Sequence, residues 1–209
     1  MNKRPTCKLC LRPEKTCICK FIRPVENLVS LFILQHPQEV LEVKNTGRLL
    51  HLCLKNSQLC IGEDFGNIFF QEITSPDYYD ILLYPDVAEE KSLGMCSPNP
   101  VDANHINNGD ALDKSGKIRL WVLDATWRKS RKMLYLNPAL QSMPRLNLQD
   151  CPSSIYKIRK AHSQNQLSTL EASCYALQKI EHGAVNYSPI LEAFAAFVDQ
   201  QQAFLPTSP

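Results

Sequence analysis

The feature that most constrains the fold of this 209-residue chain is an apolar segment that runs directly into a basic helical segment. Residues 120–123 read Leu-Trp-Val-Leu, a short continuous apolar run of the kind that forms a buried strand. Residues 127–136 contain neither Gly nor Pro and are rich in Arg, Lys, Met and Leu, which predicts a helix. A buried strand followed at once by a helix is the repeating unit of α/β proteins.

Other segments continue this alternation of strands and helices. Leu28–Leu34 is a continuous apolar run that predicts the first strand of a parallel sheet. Shorter strands are predicted at Gln58–Ile61 and Ile81–Tyr84. Helices are predicted to begin after Thr46 and at Ser188, which is followed by Pro. The pattern as a whole predicts an α/β fold with a mostly parallel sheet and flanking helices.

Composition and charge limit the classes of protein to which this chain can belong. The formal net charge of +2 is too small to indicate a nucleic-acid partner, so only local clusters of Lys and Arg carry that argument. No apolar run reaches the roughly 18–20 residues that cross a bilayer, and the basic N-terminus leads into Cys7 instead of an apolar signal region. We expect a cytoplasmic protein without a membrane partner, and the sequence leaves its oligomeric state open.

Clustered cysteines near the N-terminus predict a structural metal site. The pairs Cys7-x-x-Cys10 and Cys17-x-Cys19 are separated by a loop of six residues, so that four thiolates can converge on one tetrahedral zinc ion. A redox pair or unliganded thiols are the alternatives. We expect a zinc-binding knob over residues 1–24 and a larger domain over 25–209, which carries a polar insertion near 87–117 that is rich in Asn, Asp, Ser, Gly and Pro.

An acid and a hydroxyl lie at the junction between the central strand and its helix. Ligands of open α/β sheets bind at the carboxyl ends of strands, where the N–H groups of the next helix point at them. Asp124 and Thr126 are therefore candidate site residues, and the alternative is that one of them only caps the helix. Ser168 and Glu171 have the spacing of a capping box, which explains both without any function.

Two short segments concentrate positive charge. The helical segment after the junction carries Arg128, Lys129, Arg131 and Lys132, and a second cluster follows at Lys157, Arg159 and Lys160. Cations in such clusters contact the phosphates of nucleic acids. Both clusters are therefore candidate RNA-binding residues, with an ordinary solvated surface as the alternative.

Several motifs occur in this chain in a fixed order. They are Cys7-x-x-Cys10 with Cys17-x-Cys19, His36-Pro-x-Glu39, Asn45-Thr-Gly-Arg-Leu49, Leu83-Tyr-Pro85, Leu123-Asp-x-Thr-Trp127 and Leu167-Ser-Thr-Leu-Glu-Ala172. From Cys7 to Ala172 the chain resembles the DTW-domain proteins. The resemblance implies a tRNA-uridine aminocarboxypropyltransferase, which moves the 3-amino-3-carboxypropyl group of S-adenosylmethionine to N3 of a uridine in tRNA and releases methylthioadenosine. It also implies a SPOUT-like fold in which a C-terminal trefoil knot holds the cofactor.

The resemblance also assigns roles to individual residues. It implies catalytic roles for Asp124, Thr126 and Trp127. It implies that the cofactor site includes Thr46, Gly47, Tyr84, Pro85, Leu123, Ser168, Thr169 and Glu171. The chain departs from the family pattern in its long polar insertion and in residues 160–166, which contain neither Gly nor Pro.

The proposed chemistry suits an acid at the strand end. Uracil N3 attacks only as its proton leaves, and a carboxylate within hydrogen-bond reach can accept that proton. Partial burial beside Trp127 would raise the pKa of Asp124 and make it a stronger base. A methyltransferase acting on RNA with the same cofactor and a non-catalytic zinc-ribbon RNA-binding protein are the alternatives. The sequence does not reveal which tRNA or which uridine is modified.

Overall fold

The computed structural model describes residues 5–85, 95, 100–101, 106, 117–148, 151–154 and 167–202. The polar insertion near 87–117 falls largely outside these residues, as do positions 155–166. Within the described part of the chain, no helix is long and apolar enough to cross a membrane.

The described residues form one six-stranded sheet with the strand order β2-β1-β5-β3-β6-β4. Every pairing is parallel, which confirms the predicted α/β class with a parallel sheet. The strands are β1 (Ser30–Gln35), β2 (Ser57–Ile61), β3 (Tyr78–Leu83), β4 (Pro100–Val101), β5 (Lys117–Asp124) and β6 (Arg145–Leu146).

Helices cover both faces of the sheet. They are α1 (Gly47–Cys53), α2 (Gly66–Ile73), α3 (Trp127–Leu136), α4 (Pro138–Ser142), α5 (Thr169–Ile180) and α6 (Ser188–Gln202). The predicted helix after the central strand is confirmed at its predicted bounds, and the last helix begins at Ser188 as predicted. Helix α2 was not predicted from the sequence.

The central strand β5 divides the core into two apolar layers because its side chains alternate between the faces of the sheet. Leu120 and Val122 join the cluster formed with α1, α5 and α6, whereas Trp121 and Leu123 join the cluster formed with α2, α3 and α4. Trp121 is fully buried and stacks on Phe32, with ring centroids 4.4 Å apart. Each such side chain contributes about 1.5–3 kcal/mol through burial, so β5 anchors both layers.

The strand order reverses direction between β1 and β5, and this reversal locates the site. From β1 the chain passes through α1 to β2 on one side, whereas from β5 it passes through α3 and α4 to β6 on the other side. The last residues of these two adjacent strands, Gln35 and Asp124, are paired in register. In open α/β sheets such a switch point leaves a crevice at the carboxyl ends of the strands, which is where ligands bind.

The N-terminal cysteine segment packs on the main core. Ile18 and Phe21 are buried in the same cluster as α6, and the ring of Phe21 meets that of Phe197 edge-on at 5.8 Å. The division into a knob over 1–24 and a domain over 25–209 stays a prediction. The trefoil knot also stays a prediction, because the chain path through 149–150 and 155–166 lies outside the described residues.

Candidate active site at the sheet switch point

The carboxylate of Asp124 lies buried at the end of β5, with 3% of the residue exposed. Its Oδ2 accepts hydrogen bonds from Nε2 of Gln35 at 2.8 Å and from Nδ2 of Asn45 at 2.6 Å. The side chain of Thr169 also lies near it and favours its charged form. Groups from β1, from the segment before α1 and from the start of α5 therefore converge on this one carboxylate.

The absence of a side chain at Gly47 makes room for this carboxylate. A Cβ built on Gly47 would lie 2.5 Å from Cγ of Asp124, far inside van der Waals contact. The neighbouring Thr46 accepts a hydrogen bond at Oγ1 from the backbone N–H of Leu170 at 3.4 Å, which joins the start of α1 to the start of α5. The family resemblance implies a cofactor contact for Gly47, and in the structure the Asp124 side chain lies against this residue.

Burial raises the pKa of Asp124 above its ordinary value. Hydrogen bonds from Asn45 and Gln35, together with the polar side chain of Thr169, act in the opposite direction because they favour the charged carboxylate, and the nearby negative charge of Glu39 adds to the increase. The net direction is upward. A carboxylate with a raised pKa is a stronger base than a free Asp side chain.

Asp124 does not act as a helix cap in this structure. Thr126 occupies the N-cap position of α3, but its side chain makes no capping hydrogen bond within the described part of the chain. The interpretation of the junction as a simple helix cap is therefore not supported. By contrast, Ser168 and Glu171 do form the predicted capping box at α5.

An apolar cavity of about 240 Å³ lies at the carboxyl ends of β3, β5 and β6. One wall is the stacked pair of Tyr84 and Trp127, whose ring centroids are 5.4 Å apart with planes inclined by 9°. Trp127 therefore packs on Tyr84 in this cavity, while Asp124 lines a different one. Among the predicted cofactor residues, those that line the apolar cavity are Tyr84, Pro85, Leu123, Ser168 and Thr169.

A polar cavity of about 270 Å³ adjoins the apolar one. The two cavities share Ala125 and Thr169 in their walls. Within the polar cavity, Nζ of Lys129 contacts Oε1 of Glu39 at 2.8 Å, and this acid is only about one-tenth exposed. The predicted site residues that line it are Asp124, Thr126, Thr46, Thr169 and Lys129.

Glu171 lies behind the cavities, completely buried. Its carboxylate accepts the backbone N–H of Ser168 at 2.8 Å and the hydroxyl of Ser154 at 2.8 Å. Glu171 thus holds the loop that enters α5, and it lines neither cavity. Its predicted contact with the cofactor stays a prediction.

Among the described residues, Lys129 and Lys132, two of the predicted RNA-binding cations on α3, contact acids. Lys129 contacts Glu39, and Lys132 contacts Glu63 at 2.9 Å. Arg128 is exposed, and Arg131 is half-buried. The second predicted cluster lies outside the described residues, and it comprises Lys157, Arg159 and Lys160.

The four N-terminal cysteines lie close enough together to hold one metal ion, since their sulfur atoms are all within 4.8 Å of one another. Sγ of Cys7 is 3.6 Å from Sγ of Cys19, and Sγ of Cys10 is 3.7 Å from Sγ of Cys17. A tetrahedral ion with bonds of about 2.3 Å requires sulfur separations of about 3.8 Å. The backbone N–H groups of Cys10 and Leu9 lower the pKa of the Cys7 thiol to about 6, which favours the thiolate that binds metals, whereas burial raises the pKa of the Cys19 thiol. The donor set therefore fits zinc.

Two residues of the Asp124 site were not identified from the sequence. Gln35 was not a candidate, and Asn45 was quoted only as part of a motif. One signal for Gln35 was available, because it follows the apolar run of β1 as Asp124 follows that of β5. His36 lies in a turn, since its Nδ1 accepts the backbone N–H of Gln38 at 3.1 Å at the start of a short 3-10 helix.

Comparisons with known proteins identify a family. The sequence model of the DTW domain matches residues 4–202. The proteins named tRNA-uridine aminocarboxypropyltransferase 2 from Macaca fascicularis and Mus musculus are each 28% identical over 186 residues, covering 86% of this chain and 58% of theirs. The protein of the same name from Drosophila melanogaster is 29% identical over 189 residues, covering 86% of this chain and 68% of its own.

The chain thus spans 58% of the length of the two mammalian relatives. No solved structure matches it significantly. Because the match to the family covers residues 4–202 of 209, this chain belongs to the DTW-domain family.

Proposed function

We propose that this protein transfers the 3-amino-3-carboxypropyl group of S-adenosylmethionine to N3 of a uridine in tRNA and releases methylthioadenosine. The observation that carries the proposal is a buried carboxylate of raised pKa, Asp124, in a polar cavity that adjoins an apolar one at the switch point of the sheet. The names of the mammalian and fly relatives support the transfer of an aminocarboxypropyl group to a uridine of tRNA.

We assign S-adenosylmethionine to the apolar cavity. The parallel rings of Tyr84 and Trp127 offer an aromatic wall for a flat adenine ring, and Leu123 adds apolar surface. When bound, S-adenosylmethionine supplies an electrophilic methylene whose carbon–sulfur bond breaks toward methylthioadenosine as the uracil nitrogen attacks. The chain selects which sulfonium carbon faces the uracil, and that selection depends on position.

We assign the uracil to the polar cavity. The carboxylate of Asp124 accepts the proton from N3 while the new carbon–nitrogen bond forms, and it later releases that proton to solvent. Gln35 and Asn45 hold one oxygen of the carboxylate, which fixes its orientation for this transfer. The raised pKa brings the base closer to neutral pH than a free Asp side chain.

We assign the exposed face of α3 to the phosphates of tRNA. Arg128 lies in solvent and can meet a phosphate directly. Lys132 would exchange its contact with Glu63 for one with a phosphate. Lys129 has a different position, because it contacts Glu39 inside the polar cavity. We also propose that the four N-terminal thiols hold a structural zinc ion.

The proposed function is tested by mass spectrometry of nucleosides from tRNA incubated with the purified protein and S-adenosylmethionine. We expect a uridine that is heavier by the 3-amino-3-carboxypropyl group, together with methylthioadenosine. A methylated nucleoside would instead establish a methyltransferase. Binding of tRNA without any modified nucleoside would establish a non-catalytic RNA-binding protein.

A further inference from the structure

A buried arginine connects the cysteine segment to the site. Arg12 lies between the two thiol pairs, and only 8% of it is exposed. Its Nη1 donates to the backbone carbonyl of Val43 at 2.7 Å, and its Nη2 donates to that of Asn45 at 2.7 Å. The guanidinium lies over the ring of Phe197, with Cζ 5.3 Å from the centroid. A planar guanidinium can donate to both carbonyls at once, whereas the ammonium of Lys is a single point charge. This pair of contacts therefore requires Arg.

Asn45, whose backbone carbonyl Arg12 contacts, connects the hydrogen bonds around the carboxylate of Asp124. Nδ2 of Asn45 donates to Asp124 at 2.6 Å. Oδ1 of Asn45 accepts from Nε2 of Gln35 at 3.1 Å and from the backbone N–H of Arg48 at 3.3 Å. The backbone of Asn45 is thus fixed from the cysteine segment, while its side chain fixes the carboxylate.

The cysteine segment in turn fixes Arg12. The backbone N–H of Cys7 donates to the carbonyl of Arg12 at 2.8 Å, and the N–H of Leu11 donates to the carbonyl of Cys7 at 3.0 Å. These two hydrogen bonds fix the loop from Cys7 to Arg12. A continuous path of hydrogen bonds therefore leads from Cys7 through Arg12 and Asn45 to Asp124.

We propose that Arg12 is a positioning residue for the transfer reaction, which acts through Asn45 to set the place and orientation of the Asp124 carboxylate. The proposal rests on the proposed function. It gives the cysteine segment a task in turnover beyond its contribution to the core. The role concerns the bond-making step and not the binding of S-adenosylmethionine. The described hydrogen bonds of the Arg12 side chain reach no residue that lines the apolar cavity.

The first test compares Arg12→Met with Lys15→Met. Met keeps an apolar stem against Phe197 but cannot donate to the carbonyls, and Lys15 is an exposed cation of the same loop. We expect Arg12→Met to lower kcat about 10-fold, less than the roughly 100-fold cost of a full 1 Å displacement. The KM for S-adenosylmethionine should change less than about twofold, and Lys15→Met should match the wild type.

The pH profile separates positioning from a loss of stability. The hydrogen bond from Asn45 lowers the pKa of Asp124, so weakening it raises that pKa. The rise of kcat with pH should therefore move to higher pH in Arg12→Met. Tyr78 and Lys117 lie at the beginnings of β3 and β5, at the opposite end of the sheet from Asp124, and do not face it. Glu39, Glu42, Lys44 and Lys129 line the same cavity, and they remain unchanged between the two variants.

A double-mutant cycle tests the route through Asn45. If Arg12 acts through this residue, Arg12→Met should cost little further turnover in an Asn45→Ala background, because the two losses are not additive. Arg12→Lys, which keeps the charge but cannot form the fork, should lie between the wild type and Arg12→Met. Fully additive losses, or an unshifted pH profile, would overturn the proposal.

Hydrogen exchange supplies a readout that does not depend on activity. Amides of residues 43–48 should exchange faster in Arg12→Met than in Lys15→Met, while those of β5 should stay protected. Unchanged exchange at 43–48 would overturn the proposal even if turnover fell. A wild-type protein that transfers no group would refute the proposed function, and the exchange data would still decide whether Arg12 holds the Asn45 segment.

Discussion

Replacing Gly47 with Ala adds one methyl group, and we expect it to displace the carboxylate of Asp124. The added Cβ would lie 2.5 Å from Cγ of Asp124, whereas carbon atoms in contact are about 3.5 Å apart. The carboxylate must therefore move by about 1 Å. It cannot swing away at little cost, because the side chain is buried and is held by Gln35 and Asn45.

The magnitude follows from this displacement. Overpacking of a buried site costs about 1–3 kcal/mol of the free energy of unfolding. For a chain of this size each kcal/mol lowers Tm by about 2–4 °C, so a decrease of roughly 2–12 °C is expected. A 1 Å misplacement of a catalytic group costs about 100-fold in rate. We therefore expect Gly47→Ala to lower kcat by about 100-fold while the protein remains folded.

The assay is turnover on tRNA together with thermal unfolding, with Gly66→Ala as the matched control. Gly66 has φ of 68° and open space beside it, so its substitution strains the backbone without touching the site. Gly66→Ala should lower Tm and leave kcat unchanged. If Gly47→Ala retained wild-type kcat, the Asp124 carboxylate would not occupy the catalytic position described here.

Two other predictions concern the metal and the RNA. Wild-type protein should contain about one equivalent of zinc, and less than about half an equivalent would contradict this prediction. Cys7→Ser should lower the zinc content and Tm together, while the affinity for S-adenosylmethionine changes little. Arg128→Gln should weaken tRNA binding and flatten its salt dependence by about one charge. Lys132→Gln should have a smaller effect because Glu63 already neutralises this lysine, and unchanged binding for both variants at low salt would reduce α3 to a solvated surface.

The sequence predicted the parts of the fold that depend on local pattern. The helix at 127–136 follows from residue propensity, and the capping box at Ser168 follows from its spacing to Glu171. The parallel sheet follows from continuous apolar runs such as that of β1. In each case a few consecutive residues carry the signal.

The partners of Asp124 depend on non-local geometry, and the sequence could not reveal them. Gln35 and Asn45 precede Asp124 by 89 and 79 positions, and they meet it only because β1 pairs with β5 in one register. The pairing of Lys129 with Glu39 is equally remote, at 90 positions. The motif resemblance indicated that these segments matter, but only the register of the sheet shows which atoms meet.

Titration of Asp124 gives opposite consequences for activity and for stability. Burial raises the pKa of Asp124 in the folded state, so the folded protein binds more protons than the unfolded chain between the two pKa values. The free energy of unfolding therefore falls as pH rises through this window. The stabilising contribution of Asp124 is greatest below the pKa that this residue has in the unfolded chain. Activity, in contrast, requires the ionised base and rises through the folded pKa. Asp124→Asn removes the buried charge, so we expect no loss of Tm at neutral pH.

The most direct measurement of the central claim is turnover by Asp124→Asn as a function of pH, with the binding of both substrates measured in parallel. The Asn side chain has nearly the same size but cannot accept the proton, so kcat should fall by roughly 10²–10⁴-fold while S-adenosylmethionine and tRNA bind within a few-fold of the wild type. Raising the pH should partly restore turnover as solvent hydroxide deprotonates the uracil. Wild-type turnover in Asp124→Asn would contradict the assignment of Asp124 as the base.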